Sequence, residues 1–211
     1  MTRRRSSYRS LASLQRDIAV CRACAEAGYR LESLPVAAPL TGQRAYLLGQ
    51  APGMQEGAER RPWRGRAGRT LRRWLELDED DFYATFYCAS VTRCYPGAIA
   101  GGRGDRVPTR AERALCAFWR DWELRLLDPG VIVTVGGLAL QSLLGRSPLT
   151  DSVGHRLDRS GTPVVPLPHP SGASGWLNDG ANRARLRRAL ELVRAELDRL
   201  EAPGGRPEAA R

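Results

Sequence analysis

The sequence predicts an α/β fold with a mainly parallel sheet covered on both faces. Three observations carry that reading. Short apolar runs such as "AYLLGQ" and "VIVTVGG" end in glycine turns, segments of helical apolar spacing stand between them, and the two kinds of segment alternate along the chain. The runs are apolar throughout rather than alternating, as in strands with both faces buried. With 211 residues, 42% apolar and 27% charged, the chain has the size of one domain with a substantial core. We read that domain as residues 1–200, with a frayed tail over 201–211.

Leu11, Leu14, Ile18 and Val20 have near-helical spacing and lead to Cys21 and Cys24, which reads as a helix ending in a ligand loop. Residues 45–50, "AYLLGQ", read as a buried strand stopped by the turn "GQAPG". A charged loop bearing Trp63 follows, then "AGRTLRRWLEL", a helix with Leu71, Trp74, Leu75 and Leu77 near one face. A second strand is expected around 85–91, ahead of the glycine-rich loop "GAIAGGRGDRVP". Thr109 and Glu112 have the spacing of a capping box, and Leu115, Phe118, Trp119, Trp122 and Leu126 form the apolar face of the helix it opens. "VIVTVGG" is a third strand, and "LALQSLLG" a helix closed by Gly145. "TPVVPLPHPS" supplies the last strand. "RARLRRALELVRAELDRL" is an amphipathic helix with Leu186, Leu190, Val193, Leu197 and Leu200 inward. Ligands of such sheets bind beyond the carboxyl ends of the strands, which singles out "GQAPG", "SVTRCYPG" and "HPSGAS".

The formal net charge of +10 and a pI near 10.2 point to a polyanionic partner, nucleic acid first. The same charge also follows from a plain preference for Arg, since all 33 basic residues are Arg. The lack of Lys removes a P-loop lysine and a Lys Schiff base, which sets aside Walker-type nucleotide hydrolysis and amine-based lyase chemistry. No stretch approaches the roughly 20 apolar residues of a membrane span. The start "MTRRRSSYRS" lacks the apolar run of a secretory signal. A cytoplasmic location, no membrane partner and a monomeric state are the expectations.

In a reducing compartment the cysteines at 21, 24, 88, 94 and 116 are not expected to form disulfides, and Cys21-Arg-Ala-Cys24 has the gap of a metal knuckle. Cys94, after the second strand, and Cys116, on the capped helix, complete a set of four. Cys88 lies within a strand, where a buried thiol is ordinary. Four thiolates suit zinc or an iron–sulfur cluster, and spacing does not choose between them; unrelated buried thiols are the plainer alternative. His169, between prolines after an apolar strand, is positioned to donate to a bound anion or carbonyl, or else simply fixes its loop. His155 reads as a hairpin or surface residue. Trp63 sits among Arg60, Arg61, Arg64 and Arg66, a setting for base stacking beside phosphate, with core packing as the alternative.

The order "GQAPG…PWRGRAGRTL", "SVTRC", "VIVTVGGLALQSLLG" and "HPSGAS", with cysteines at 21, 24, 94 and 116, resembles the iron–sulfur uracil-DNA glycosylases of the uracil-DNA glycosylase superfamily. The resemblance runs from about Cys21 to about Arg199. It implies a three-layer α/β/α sandwich with a short, mainly parallel central sheet, and a structural [4Fe-4S] cluster on Cys21, Cys24, Cys94 and Cys116. It also implies hydrolytic removal of flipped-out uracil from DNA, the opening step of base excision repair. By the same resemblance, His169 donates to uracil O2, backbone at Gly49, Gln50 and Ala51 meets the pyrimidine edge, and Trp63 stacks on the base, with Gln55 in the same motif. Ser171, Arg64, Arg103 and Arg106 are expected on DNA, and Trp176 and Leu177 as candidate wedges into the duplex.

Two positions depart from the family pattern. Gln50 stands where an acidic residue often polarises the attacking water, and an amide orients water without taking its proton; Glu56 is the nearest acidic substitute. Ser90 stands where many relatives carry an Asn that pairs with the uracil edge. One hydrogen bond in place of two loosens discrimination, bringing hypoxanthine or xanthine within range. Without Lys, the expected enzyme is monofunctional and leaves an abasic site. The rival expectations are a non-catalytic DNA-binding relative and a zinc-stabilised nucleic-acid-binding module.

Overall fold

The computed structural model describes residues 2, 4–102, 104–145, 148–171 and 175–202. Strands β1 (Ala45–Gly49), β2 (Phe86–Ser90), β3 (Val131–Val135), β4 (Leu157–Arg159) and β5 (Thr162–Leu167) form one sheet in the order β2-β1-β3-β5-β4. β1 pairs in parallel with both β2 and β3, and β3 with β5, while β4 runs antiparallel to β5. Every residue of β1 and β3 is buried. Their uninterrupted apolar character follows from that, because neither face meets water.

The two-residue period of the strands sorts their side chains into two cores. Leu47, Phe86, Cys88, Val131, Val133 and Val165 face Leu71, Phe82, Leu186, Ala189 and Val193. Tyr46, Leu48, Tyr87, Ala89, Ile132 and Val164 face Leu124 and Ala139. Helices α4 (Arg66–Leu75), α5 (Glu79–Thr85) and α9 (Gly180–Glu201) therefore cover one side, and α6 (Arg110–Leu127) and α7 (Gly137–Leu144) the other. This is the expected three-layer sandwich. Helix α1 (Leu11–Ala19) lies against α6 through a separate cluster of Tyr8, Leu14, Ile18 and Trp119. Burying one such Leu or Ile side chain is worth roughly 1.5–3 kcal/mol, so each cluster is a substantial anchor.

Helix α6 starts as its sequence predicts: Glu112 N donates to Thr109 Oγ1 at 3.2 Å, and Thr109 N to Glu112 Oε2 at 2.7 Å. Helix α4 is shorter than expected. Glu76 takes a left-handed φ of 57°, which ends the helix at Leu75 and leaves Leu77 to pack on the core from outside it. The loop after "GQAPG" contains a helix, α3 (Met54–Glu59), and two more short helices, α2 (Ala23–Glu26) and α8 (Leu149–Ser152), were not expected. His155 is exposed and precedes the β4–β5 hairpin, as read. Among the described residues no helix is long and apolar enough to cross a membrane. The tail beyond Ala202 lies outside the described residues.

The chain leaves β1 toward the face of α4 and α5, and leaves β3 toward the face of α7. Neighbouring strands whose connections diverge in this way open a crevice at their carboxyl ends.

Candidate active site

A cleft of about 390 Å³ opens at those ends. Gly49, Gln50, Ala51, Gln55, Trp63, Ser90, His169 and Ser171 all line it, although they come from four separate stretches of sequence. The main chain of its floor is fixed beyond the strand itself. Val91 N donates to Gly49 O at 3.0 Å and Thr92 N to Gln50 O at 3.2 Å, prolonging the β1–β2 pairing into the turn.

Trp63 forms a wall by close backbone contact. Its φ is +60°, a region costing a non-glycine residue roughly 1–2 kcal/mol. Two glycines make its position possible: a Cβ on Gly68 would stand 1.8 Å from Trp63 O, and one on Gly49 would stand 2.8 Å from the indole Cζ2. Arg72 Nη1 donates to the Trp63 carbonyl at 2.9 Å. The ring lines the cleft and also packs against the core, so both sequence readings of Trp63 describe parts of one side chain.

Glu56 is 9% exposed and holds the same loop. Its Oε1 accepts from Gly65 N at 2.7 Å and its Oε2 from Gly53 N at 3.1 Å, joining the first turns of α4 and α3. Glycine at both N-cap positions brings no side-chain acceptor of its own, and Glu56 serves both. With both oxygens on backbone N–H groups, Glu56 shapes the loop and does not stand in for the missing acid at position 50.

His169 has a defined tautomer. Ser171 N donates to Nδ1 at 3.3 Å, and Ser171 Oγ lies 2.9 Å from the same atom. A backbone N–H cannot accept, so Nδ1 is the acceptor and the neutral ring carries its proton on Nε2. The residue is open to the cleft, yet the surrounding walls push its pKa below the ordinary imidazole value, against an opposing pull from Asp105. At neutral pH it is an uncharged N–H donor. Ser90 Oγ donates to Thr92 O at 2.7 Å, which leaves its lone pairs as acceptors.

Asp105 also lines the cleft, and sequence reasoning assigned it no role. The available signal was its place in the glycine-rich loop after a strand's carboxyl end. The residues expected on DNA fall differently. Arg64 pairs with Glu59 at 2.7 Å and with Glu79. Arg106 makes a two-pronged pair with Glu112 at 2.8 and 2.6 Å and donates to Arg30 O. Trp176 packs on the core and donates to Thr150 Oγ1 at 3.0 Å, and Leu177 packs beside it. None of these four lines the cleft; Arg103 lies outside the described residues.

A second, smaller cavity of about 90 Å³ is lined by Cys21, Cys24, Cys94 and Cys116, with Thr92 and Trp119. Cys88 is buried in β2, away from it. Trp119 Nε1 donates to Cys21 Sγ at 3.3 Å, and the Arg93 backbone lies near the Cys116 sulfur. Burial first, then the Cys21 thiol and Glu112, push Cys24 up to about 11; burial does most to push Cys116 up to about 12. The buried Thr92 hydroxyl has no partner among the described residues. Nor, among those residues, do three His, Cys, Asp or Glu side chains converge closely enough to grip a metal ion.

Between the two cavities lies a buried ionic network. Arg93, 3% exposed, pairs with Glu123, which is fully buried. Tyr46 OH donates to Glu123 Oε2 at 2.9 Å and Tyr87 OH to Oε1 at 2.8 Å. The segment 90–94 thus faces the cleft at Ser90, is pinned in the interior at Arg93, and faces the thiols at Cys94.

A cleft with a main-chain floor, an aromatic wall and an uncharged imidazole donor, at the carboxyl edge of a parallel sheet, marks an α/β protein suited to receive a flat polar ring. The family described as the Uracil DNA glycosylase superfamily matches residues 38–194, about three quarters of the chain, a span that includes this cleft and its sheet; the chain belongs to that superfamily. It is 30% identical over 134 residues to the Type-4 uracil-DNA glycosylase of Thermotoga maritima, covering 61% of this chain and 65% of that protein. With the Type-4 uracil-DNA glycosylase of Sulfurisphaera tokodaii it shares 26% identity over 131 residues, 60% of this chain and 54% of that protein. The matches span less than two thirds of the length of either relative.

Proposed function

We propose that the chain is a monofunctional DNA glycosylase that hydrolyses the N-glycosidic bond of flipped-out deoxyuridine and starts base excision repair. The observation that carries this reading is the uncharged His169, its proton held on Nε2 by Ser171, in one cleft with Trp63 and residues 49–51. As the C1′–N1 bond breaks, its electron pair leaves on uracil. A neutral N–H aimed at O2 stabilises that charge without protonating the ground state. Trp63 stacks on the base, the backbone of Gly49, Gln50 and Ala51 pairs with its edge, and Gln55 closes the same wall. The Ser90 lone pairs accept from N3–H; one contact in place of two admits other deaminated bases as well as uracil. Ser171 and the Arg-rich surface meet the DNA backbone.

The four cysteines hold a [4Fe-4S] cluster. Thiols that line one cavity but do not converge on a point suit a multi-iron group, which keeps its ligands apart, better than a single zinc ion. The N–H donor to Cys21 and the unpartnered Thr92 hydroxyl suit thiolate and sulfide acceptors. The cluster's contribution is structural, tying the 21–24 and 93–94 segments to α6.

The test is a single-turnover assay on labelled DNA strands bearing one uracil, hypoxanthine, xanthine or mismatched thymine, with alkali to reveal abasic sites. Alkali-dependent cleavage of the uracil strand that falls with His169→Ala supports the reading. Tight binding with no abasic product on any strand overturns it in favour of a non-catalytic DNA-binding protein. For the cofactor, about four iron atoms per chain with matching labile sulfide are expected, whereas stoichiometric zinc overturns the cluster.

A further inference from the structure

Gln50 leaves the cleft without the acid that would activate water from the β1 turn, and Glu56 is committed to two backbone N–H groups. Among the described residues lining the cleft, the remaining carboxylate is Asp105. It reaches the cleft from the loop after β2 and lies beside the turn that Gln50 begins: its Oδ2 is 3.2 Å from where a Cβ on Gly53 would be. It is also close enough to His169 to oppose the fall in that residue's pKa.

The loop holds Asp105 in place. Residues Ala98 and Asp105 form an antiparallel bridge, Ile99 N donates to Gly104 O at 2.9 Å, and Arg106 N donates to Gly97 O at 2.9 Å. The next residue, Arg106, is clamped by Glu112. The Tyr95 hydroxyl lies close to the Asp105 carboxylate. The backbone bonds fix the loop main chain that carries Asp105, and its side chain is exposed at the cleft.

We propose that Asp105 is a catalytic residue of the glycosylase reaction, holding and deprotonating the attacking water with Gln50 orienting it from the β1 turn. The inference rests on the glycosylase reading. In the step, a lone pair of the water oxygen forms the C1′–O bond, the C1′–N1 electron pair departs with the uracil anion, and the water proton passes to the Asp105 carboxylate. The carboxylate also faces the cationic character that builds on the sugar.

The experiment compares the intact wild-type chain with Asp105→Asn and with the double variant Gln50→Glu/Asp105→Asn on uracil-bearing DNA, measuring single-turnover rate, DNA affinity and melting temperature. Asp105→Asn is expected to slow the chemical step about 10²-fold at unchanged affinity and melting temperature. Gln50→Glu, by returning a carboxylate to the turn, is expected to restore much of the loss. A full rate in Asp105→Asn, a loss matched by weaker DNA binding, or a double variant no faster than the single one each overturns the proposal while leaving the glycosylase reading intact. A wild-type chain that forms no abasic site on any strand takes down both.

Discussion

Ser90 and Cys94 belong to one short segment, yet the surroundings of its two ends are organised in opposite ways. Toward Cys94, polar groups are buried and, apart from Thr92 Oγ1 and Arg93 Nε, matched: Arg93 with Glu123, Glu123 with Tyr46 and Tyr87, Trp119 with Cys21. Toward Ser90, polar groups are fixed on one side and open on the other: His169 accepts at Nδ1 and presents Nε2–H, and Ser90 donates to Thr92 and presents lone pairs. Closed pairs define shape, and half-open groups do chemistry. Damage to the first kind should therefore appear as lost stability, and damage to the second as lost rate.

The strongest challenge to that contrast is Arg93→Met, which strands the Glu123 carboxylate in the interior. Removing one partner of a buried pair costs roughly 3–5 kcal/mol, to be read from urea unfolding. A change below about 1 kcal/mol would show that the tyrosines alone satisfy Glu123.

His169→Ala tests the other side. The rate of base release should drop about 10²-fold, roughly 2.7 kcal/mol at the transition state, with little change in stability at neutral pH. Acid sharpens the test. The folded pKa of His169 lies below the unfolded value of 6.5, so the unfolded chain binds more protons in acid. The wild-type protein should lose stability relative to His169→Ala as pH falls through about 6.5 toward the folded value, and urea midpoints across that range measure it. No divergence would mean that the ring is solvated.

Glu56→Gln is the intermediate case, since Glu56 lines the cleft but is built like an interior group. A glutamine retains one acceptor oxygen for two N–H groups, which should cost about 1–3 kcal/mol of stability together with a slower rate. Loss of rate alone would move Glu56 to the reactive side of the comparison. The smallest effect is expected for Ser90→Asn, a shift toward uracil over hypoxanthine on the order of tenfold, read as a ratio of single-turnover rates. An unchanged ratio would remove Ser90 from base reading.

The sequence made the sheet and its large helices legible because their signals are local: unbroken apolar runs for β1 and β3, a complete capping box for α6. Helix α3 escaped notice because its N-cap is Gly53, which carries no side-chain signal. Helix α5 was hidden by a strand-like aromatic run, although Asp78 caps it through Asp81 N at 2.8 Å. Strand β4, three residues long and only partly buried, has no pattern to read. At the site, the glycine turn, Trp63 and His169 were visible from residue type and position. The pairing of Arg64 with Glu79, the double duty of Glu56 and the approach of Asp105 depend on contacts between segments, which local spacing does not encode.

The reach of Glu56 from Gly53 N to Gly65 N has one more consequence. A single carboxylate closes the 53–65 segment into a ring without a covalent bond, with Trp63 carried near its seam. Closing such a loop costs configurational entropy that grows with its length, and folding meets that cost before any ligand arrives. The aromatic wall is then preorganised: an incoming ring meets a surface already ordered, and less of its contact energy is consumed in arranging the receptor.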